Sequence, residues 1–441
     1  MAHSEDARQW VHIASGSFAL LLRFLAWWQA ALFAISALVF NVLLLPHVGG
    51  RRLIRPLEHA RYPLGIVLYP LAVLALVLVF ASRLDIAAAA WAILALGDGT
   101  ATLVGRRARS ARLPWNPDKS VAGMVAFAVF AAAGGVALAW WTAPAVDAAP
   151  SLTFIIVAPC AAALAAALVE TLPVGLDDNL SVPFAAGSVL WLGSLSSTAA
   201  LSASRDLVVA NLPWALAVNA VTSWLGYRAR TVTRAGMIGG ALIGVVIYTA
   251  GGFSAWIFLF VTFLAAAVTS RVGLRKKVLL GIAEERSGRR GAGNAFANCG
   301  VAALAAIAAI VTPYRTEALL ALAAALTAGG SDTVASEIGK AFGGRTYLVT
   351  TARGVPPGTP GAMSLEGTAA GVVAALALGA LGAGLGLVPW SALLAMVAAA
   401  TAGALVESAL AATLEGPGIL NNDMLNFINT AVAAGVALAV V

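Results

Sequence analysis

The chain contains 441 residues, of which 61% are hydrophobic and 11% are charged, and its formal net charge is +7. The apolar residues fall in long blocks, and their fraction is larger than a soluble core requires. Composition therefore excludes a soluble globular protein and predicts a polytopic membrane protein.

We predict an all-α fold, a polytopic transmembrane helical bundle of about fifteen spans. In the first half, the apolar segments lie at residues 13–28, 30–46, 63–81, 84–97, 120–142, 151–171, 183–201 and 207–226. In the second half, they lie at residues 235–250, 254–270, 293–312, 317–330, 365–386, 391–413 and 426–441. The polar start MAHSEDARQWVH predicts no cleavable signal peptide. Cys160 and Cys299 lie in apolar segments, which indicates neither a disulfide framework nor a zinc site.

The basic residues are distributed asymmetrically along these spans. If the loops are numbered in order, 22 of the 27 Lys and Arg residues lie on one side, and the opposite loops contain Arg83, Arg205 and Arg315. The positive-inside rule assigns the basic side to the cytoplasm. We therefore expect an integral protein of a bacterial-type inner or plasma membrane, with its amino terminus inside, its carboxyl terminus outside and its active sites facing the cytoplasm. Because this topology explains the positive charge, no nucleic acid partner is expected.

Residues 97–123, GDGTATLVGRRARSARLPWNPDKSVAG, interrupt the apolar segments with one acid in a predicted Gly/Thr-rich turn and several cations. Asp98 ends an apolar run, and five basic residues follow it: Arg106, Arg107, Arg109, Arg112 and Lys119. This combination suits a metal-bound polyphosphate, because a carboxylate holds a divalent ion while Arg and Lys neutralise phosphate oxygens. From charge alone, the alternative is that the cations anchor a cytoplasmic loop and Asp98 caps a helix.

The order of polar groups in the first half occurs again in the second half. Glu170 ends a span and is followed by a polar triplet, Asp177, Asp178 and Asn179. In the second half, Asp332 precedes a Gly/Pro-rich loop and Glu407 precedes LEGPGILNND. Eight predicted spans separate Asp98 from Asp332. An even number predicts two tandem parallel repeats, whereas many transporters contain inverted repeats.

Several polar residues of the apolar segments are candidates for function. Glu407 lies inside an apolar span, where an acid is costly unless it has a partner or a function. The alternative is a packing role beside an Arg or amide of a neighbouring helix. Asn294 and Asn298 are four residues apart and share a helix face, and the Gly-rich segments GDGT and AFGGR offer backbone N–H groups to an anion. His12 is a candidate ligand or base, but a single His where the chain enters the membrane is more often interfacial, and we expect it to be so.

These motifs resemble those of known membrane kinases. Residues 10–226 are similar to the CTP-dependent kinases of lipid alcohols, phytol kinase and dolichol kinase, distantly related to CDP-diacylglycerol synthase, through GDGTATLVGRR, LPWNPDKSVAG and ETLPVGLDDNLSVP. Residues 230–441 resemble the phytyl-phosphate kinase family through GRRGAGNAFAN, SDTVASEIGKAFG, TARGVPPGTPGAMSLEGT and ILNNDMLNFINT. Dolichol kinases commonly carry Glu where this chain has Ala122, which favours shorter prenols and leaves the first site one potential metal ligand short. The second half keeps Glu366 at that place.

The resemblance implies a bifunctional enzyme with a phytol kinase-like domain at 1–228 and a phytyl-phosphate kinase-like domain at 229–441. The first domain would phosphorylate a prenol of the phytol, geranylgeraniol or farnesol type, and the second would convert the monophosphate to the diphosphate. CTP would be the phosphoryl donor and Mg2+ the cofactor. The implied partners are lipid-soluble prenols and prenyl phosphates, a nucleoside triphosphate and membrane lipids.

The resemblance also implies residue roles. The expected catalytic residues are Asp98, Lys119, Asp177, Asp178, Asp332, Glu366, Glu407 and Asp423. The expected contacts to nucleotide and phosphate are Arg106, Arg107, Asn116, Asn179, Arg289, Arg290, Asn294, Asn298, Lys340, Arg353, Thr359 and Asn422. The expected metal ligands are Asp98, Glu170, Asp178, Asp332, Glu337 and Glu407.

Two other functions stay open at this level. The same acids and cations suit the translocation path of a lipid-phosphate transporter or flippase. A cytidylyltransferase that makes a CDP-lipid would use the same nucleotide and metal contacts. The sequence does not fix the length of the prenol, because an apolar groove between helices has no polar signature.

Overall fold

The computed structural model describes residues 5–45, 47, 64–172, 177–279, 281, 289–416 and 419–441. These residues form an all-α, polytopic membrane protein in which short β-structures follow two of the helices. Eleven of the described helices are long and apolar enough to cross a membrane. The span count of fifteen stays a prediction. The predicted basic loop at 49–61 and the basic residue Arg286 lie outside the described residues.

The first compact unit is Met1–Leu195. Its helices and strands are α1 (Glu5–Ser15), α2 (Trp27–Val39), α3 (Leu64–Val79), α4 (Leu84–Arg107), β1 (Arg112–Leu113), β2 (Asn116–Ser120), α5 (Val121–Thr142), α6 (Leu152–Thr171) and α7 (Asp178–Leu195). A 3-10 helix, Gly16–Arg23, follows α1, and Ala26 is extended with φ −68° and ψ 154°. The predicted span 13–28 is therefore not one continuous helix.

The second compact unit is Ser196–Val441. Its helices and strands are α8 (Thr198–Arg228), α9 (Arg234–Arg271), α10 (Leu274–Leu279), α11 (Ala292–Val311), α12 (Arg315–Phe342), β3 (Thr346–Leu348), β4 (Gly354–Val355), β5 (Ala362–Ser364), α13 (Leu365–Gly384), α14 (Leu393–Leu410) and α15 (Asn422–Val440). The long α9 contains two predicted spans that meet at Gly252, whose φ of 66° is readily adopted by glycine.

The two units divide the chain one helix earlier than the predicted domains at 1–228 and 229–441. α8 belongs to the second unit, because it packs against α9 and α11. The predicted functional boundary at 228/229 stays a prediction.

α4 and α12 are the central helices of their units. In each of these two helices, 78% of the residues in an apolar stretch of 18 are buried. α4 packs against α1, α5, α6 and α7, and α12 packs against α9, α11, α13, α14 and α15. Residues 87–90 and 323–325 are alanines with at most 1% exposure. Small side chains at these positions let neighbouring helices approach closely, which favours association within a bilayer.

Both central helices continue through the acids predicted to lie beside turns. The GDGT segment is helical in α4, so the prediction of a Gly-rich turn there is wrong. A Cβ at Gly97 would lie 2.6 Å from the ring of Phe127, so this glycine serves the close packing of α4 against α5. α12 passes through Asp332 in the same way and ends at Phe342. Tertiary packing overrides the local glycine signal in α4.

A short antiparallel β-structure follows each central helix. β1 pairs with β2, and β3 pairs with both β4 and β5. β2 continues directly into α5, where the Ser120 hydroxyl accepts a hydrogen bond from the N–H of Gly123 at 3.2 Å. β5 continues into α13, where Ser364 accepts from the N–H of Gly367 at 3.1 Å. Each serine caps its helix and fixes the strand before it.

Candidate active site

Three carboxylates from three helices converge in the first unit. Asp98 lies toward the C-terminal end of α4, Glu170 lies in the last turn of α6, and Asp178 is the first residue of α7. One oxygen atom of each lies within 4.8 Å of the other two. Among the described residues, this is the one group of three acids that converges so closely. The structure therefore brings together all three metal ligands expected in the first half.

Lys119 of β2 reaches these carboxylates from the hairpin. Its Nζ lies 2.5 Å from Oε1 of Glu170 and 3.3 Å from Oδ2 of Asp178. Burial favours the neutral amine, but the charges of Asp178, Glu170 and Asp98 outweigh it and raise the pKa of Lys119. Burial, followed by the charge of Asp98, raises the pKa of Asp178 to about 7. The cluster thus holds the Lys119 ammonium group among three crowded carboxylates, and these carboxylates offer oxygen ligands of the kind that a divalent cation prefers.

The hairpin is anchored so that Lys119 points toward the acids. Asn116 Nδ2 donates to the carbonyl of Thr171 at 3.0 Å, and Asn116 Oδ1 accepts from the N–H of Asp118 at 3.1 Å. The expected role of Asn116 as a nucleotide contact does not fit, because both ends of its buried side chain fix the hairpin to the end of α6. A Cβ at Gly123 would lie 3.0 Å from the carbonyl of Ala101, so glycine keeps the start of α5 close to α4.

A cavity of about 250 Å3 opens beside Lys119. Thr102, Arg106, Lys119 and Glu170 line it, together with glycines of α4 and α5. Thr102 lies one turn beyond Asp98 on the same helix, as their spacing predicts. Cations, a hydroxyl and small residues surround space for an anion, so this wall suits a phosphate group.

His12 lies beside Asp98, although the sequence favours an interfacial position for it. Its Nε2 lies 3.6 Å from Oδ2 of Asp98, and its ring meets the ring of Tyr69 edge to face. Burial lowers the pKa of His12 more than the Asp98 charge raises it, so the ring is neutral near pH 7. His12 is therefore not a plain interfacial residue. A usable signal was the helical spacing of Gln9 and His12 in α1, which places two polar groups on one face.

The predicted phosphate contacts Arg106 and Arg107 already have an acidic partner. Nη1 of Arg106 lies 3.3 Å from Asp6 Oδ1, and Nη2 of Arg107 lies 2.5 Å from Asp6 Oδ2. These contacts tie the end of α4 to α1. Both arginines are more than half exposed, so a bound anion competes with Asp6 for them at low cost.

Asp177 and Asn179 stand beside the cluster but serve the start of α7. Oδ1 of Asp177 accepts from the backbone N–H of Asn179 at 2.9 Å and from its side-chain Nδ2 at 2.8 Å. Asp177 therefore acts as a helix cap, which differs from the catalytic role expected for it. Asp178, the next residue, is the acid that reaches Lys119.

In the second unit, the acids form a pair. Asp332 of α12 and Glu407 of α14 lie close to each other, and Asn429 of α15 is fully buried with neither end of its amide hydrogen-bonded among the described residues. Asn429 was missed because it lies within an apolar run. Asp423, in the first turn of α15, has a partner, and Asn422 at the start of α15 is exposed.

Glu337, an expected metal ligand, is bound by two lysines. Its Oε2 lies 2.6 Å from Nζ of Lys277, and its Oε1 lies 3.2 Å from Nζ of Lys340. The Lys277 and Glu337 side chains are 1% and 2% exposed. With both oxygens engaged, the structure does not bring Glu337 to Asp332 and Glu407 as a third ligand. Lys340, an expected phosphate contact, is occupied by the same carboxylate.

The junction between central helix and β-structure has the same geometry in both units. A Cβ at Gly367 would lie 2.7 Å from the carbonyl of Ala335 and 3.0 Å from Oγ of Ser364. The equivalent distances from Gly123 to Ala101 and Ser120 are 3.0 and 3.2 Å. Each contact thus joins a glycine, a capping serine and an alanine carbonyl three residues beyond the acid of the central helix, which is Asp98 or Asp332. This recurrence agrees with the order of motifs in the sequence.

Other expected contacts of the second half divide into two groups. Arg290 Nη1 donates to Oδ1 of Asn294 at 2.9 Å, and Asn298 Nδ2 donates to the carbonyl of Asn294 at 3.0 Å, so these three lie together. The remaining four lie on loops or helix starts: Arg289, Arg353 and Glu366 are exposed, and Thr359 is half-buried. Glu366 accepts from the N–H of Gly344 at 3.2 Å, which is a structural contact.

The fold and this site define a polytopic α-helical membrane protein in which three acids from three helices and a lysine from a strand form a partly buried cluster. The chain belongs to the family described as integral membrane protein DUF92, whose model matches residues 217–434. No solved structure matches the chain significantly.

Three curated relatives illustrate the similarity. The membrane protein sll0875 of Synechocystis sp. is 39% identical over 202 residues, which are 45% of this chain and 78% of the relative. Protein VTE6, chloroplastic, of Arabidopsis thaliana is 35% identical over 47% of this chain and 64% of its own length. Probable phytol kinase 1, chloroplastic, of Glycine max is 33% identical over 31% of this chain and 45% of its own length.

Proposed function

We propose that the chain is a membrane kinase of isoprenoid alcohols that performs two successive phosphorylations. The first unit converts the alcohol to its monophosphate, and the second converts the monophosphate to the diphosphate. The observation that supports this most directly is the convergence of Asp98, Glu170 and Asp178 around Lys119, beside a cavity lined with cations.

The donor set of the first unit fits a divalent cation. Asp98, Glu170 and Asp178 offer carboxylate oxygens from three helices, and hard cations such as Mg2+ prefer oxygen ligands. These three residues would hold Mg2+, which when bound supplies positive charge to the nucleotide phosphates. Lys119 lies among these acids. When Glu170 binds the cation, Nζ of Lys119 becomes free to contact a phosphate oxygen.

In the first step, the hydroxyl oxygen of the alcohol forms a bond to the γ-phosphorus of CTP, and the bond from that phosphorus to the β–γ bridging oxygen breaks. The hydroxyl proton passes to a carboxylate of the cluster, which we assign to Asp178 because burial raises its pKa and so favours proton uptake. The products are the monophosphate and CDP. Lys119 and Arg106 neutralise charge on the transferred group, which lowers the barrier because that charge is spread over its oxygens.

In the second unit, Asp332 and Glu407 take the corresponding place. The acceptor is already an anion, so this site requires more positive charge near it. Arg290, which lies just before α11, supplies that charge. The monophosphate oxygen forms the new bond to phosphorus, and CDP leaves as in the first step.

The relatives add support of a different kind. Some carry the name phytol kinase, and the matches to sll0875, VTE6 and phytol kinase 1 each cover less than half of this chain. We propose that the chain is a fusion of two kinase-like halves, and the recurring junction at Gly123 and Gly367 supports this proposal. We also propose that both sites face the cytoplasm, as the distribution of basic residues predicts.

Product analysis tests this function. Purified full-length protein in detergent would be incubated with Mg2+, a panel of prenols or prenyl monophosphates, and CTP, ATP, UTP or GTP in turn. We expect prenyl mono- and diphosphate by mass spectrometry, with CTP as the preferred donor. A CDP-linked lipid with release of pyrophosphate would instead show cytidylyl transfer. Transport of a prenyl phosphate across vesicles with no change in its mass would show a flippase.

A further inference from the structure

The second unit contains a cavity of about 150 Å3 between α8, α9, α11 and α12. Most of its wall is apolar, with Ile243, Leu259 and Phe260 on α9. Trp256 also lines the cavity, and its Nε1 donates to Oδ1 of Asn219 at 3.1 Å. Because this hydrogen bond satisfies the indole N–H, the Trp256 side chain adds to the apolar part of the wall.

The cavity also has a polar lining, formed by Arg290, Asn294 and Asn298. The backbone of Arg290 is fixed, because its N–H donates to the carbonyl of Thr231 and its carbonyl accepts from the N–H of Thr233, both at 3.0 Å. Arg290 Nε and Asn298 Oδ1 are buried, and neither has a hydrogen-bond partner among the described residues. Asn298 as a whole is 9% exposed. A buried guanidinium donor without a partner favours a bound anion.

This lining lies next to the proposed second acid pair. Gly330 and Thr333 of α12 line the cavity, and Asp332 is between them in the sequence. Asn298 packs against Gly329, where a Cβ would lie 3.0 Å from the Asn298 carbonyl. The cavity therefore runs along the stretch of α12 that carries the acid.

Resting on the proposed function, we infer that this cavity holds the isoprenoid chain of a single-chain prenyl monophosphate, with the phosphate bound by Arg290. The ligand must have both an anionic head and an apolar chain. A free phosphate would leave the apolar wall without a contact, and an uncharged prenol would leave the Arg290 donor unpaired. The wall beside Trp256 then limits chain length, since a longer chain must displace its hydrogen bond to Asn219.

Gly240 of α9 gives a sharp test. It lines the cavity, and a Cβ added there meets no atom of the described chain within 4 Å. Gly240→Leu therefore fills the cavity without a clash at the first added carbon. Gly435 of α15 is a matched control, because it is also helical, an added Cβ is equally free, and it does not line the cavity.

The experiment measures binding of geranyl and geranylgeranyl monophosphate to purified full-length protein without nucleotide. A photoactivatable analogue of geranylgeranyl monophosphate, followed by mass spectrometry, maps the contact. We expect labelling of α9 and α11, a loss of geranylgeranyl monophosphate affinity of roughly tenfold or more in Gly240→Leu, and wild-type affinity in Gly435→Leu. Arg290→Gln is expected to weaken monophosphate binding roughly 10- to 100-fold and to leave geranylgeraniol binding unchanged.

Labelling outside α8, α9, α11 and α12, or equal effects of Gly240→Leu and Gly435→Leu, would overturn the cavity assignment. Equal loss of monophosphate and alcohol binding in Arg290→Gln would overturn the phosphate contact. Because binding is measured without turnover, the test of the lipid site does not depend on the proposed kinase function. Labelling in the cavity with no phosphoryl transfer supports the lipid site and rejects the kinase function, whereas transfer without labelling there rejects the lipid site.

Discussion

The buried pair of Lys277 and Glu337 leads to a quantitative prediction. Lys277→Met removes one of the two lysines that hold Glu337 and leaves Lys340 at 3.2 Å. Breaking a buried ion pair costs about 3–5 kcal/mol, because the remaining charge is left without compensation. Lys340 is 30% exposed and offsets part of this cost, so we expect a loss near the lower limit, about 3 kcal/mol. For a unit of this size, that lowers the melting temperature by about 6–12 °C.

A double variant tests whether Glu337 has the ion pair with Lys277 as its main interaction, or also binds a further partner such as a metal ion. In Lys277→Met/Glu337→Gln, the uncompensated charge is gone, and we expect stability within about 1 kcal/mol of wild type. The assay is thermal unfolding of the purified full-length protein in one detergent. Lys276→Met is the control, because Lys276 is exposed and donates to the carbonyl of Ala341. If the double variant is as unstable as Lys277→Met, Glu337 has a further partner, and the reasoning from a closed ion pair is refuted.

Three further predictions concern the first-unit site and the junctions. Lys119→Met should lower alcohol phosphorylation by about 100-fold or more, while supplied monophosphate is still converted to diphosphate. Both steps are measured with radiolabelled donor, and an equal loss of the two would contradict separate sites. Ser364→Ala removes the cap of α13 and should cost about 1 kcal/mol in thermal unfolding; no change would show that Gly367 finds another acceptor. Gly367→Ala places Cβ 2.7 Å from the carbonyl of Ala335 and should cost more than Ser364→Ala, because backbone must shift; a smaller loss would contradict the close approach of α12 and α13.

The acids of the first site could be predicted from the sequence because they share one side of the predicted membrane topology. Asp98 is predicted to end a span, and Glu170 and Asp178 lie at helix ends, so the predicted order of spans brings the three acids to one side. Asp98 in fact lies inside α4, which continues to Arg107. The structure places oxygens of the three acids within 4.8 Å of one another. Lys119 follows for the same reason, since its loop directly follows the helix that carries Asp98.

Other features could not be predicted, because they depend on tertiary contacts. The Gly-rich GDGT segment reads locally as a turn, but Gly97 lies in a helix against Phe127. Lys277 and Glu337 are far apart in the chain, and nothing in their spacing indicates that they pair. Asn116 looked like a nucleotide contact because of its motif, but its burial and its bond to Thr171 became visible only in the fold.

The central claim is that each unit catalyses a different step. Asp98→Asn and Asp332→Asn would be compared with wild type, using labelled CTP and either a prenol or a prenyl monophosphate, with products resolved over time. We expect Asp332→Asn to accumulate monophosphate, and Asp98→Asn to leave the prenol unused while still converting supplied monophosphate to diphosphate. If Asp332→Asn stops both steps equally, the two units do not divide the reaction as proposed.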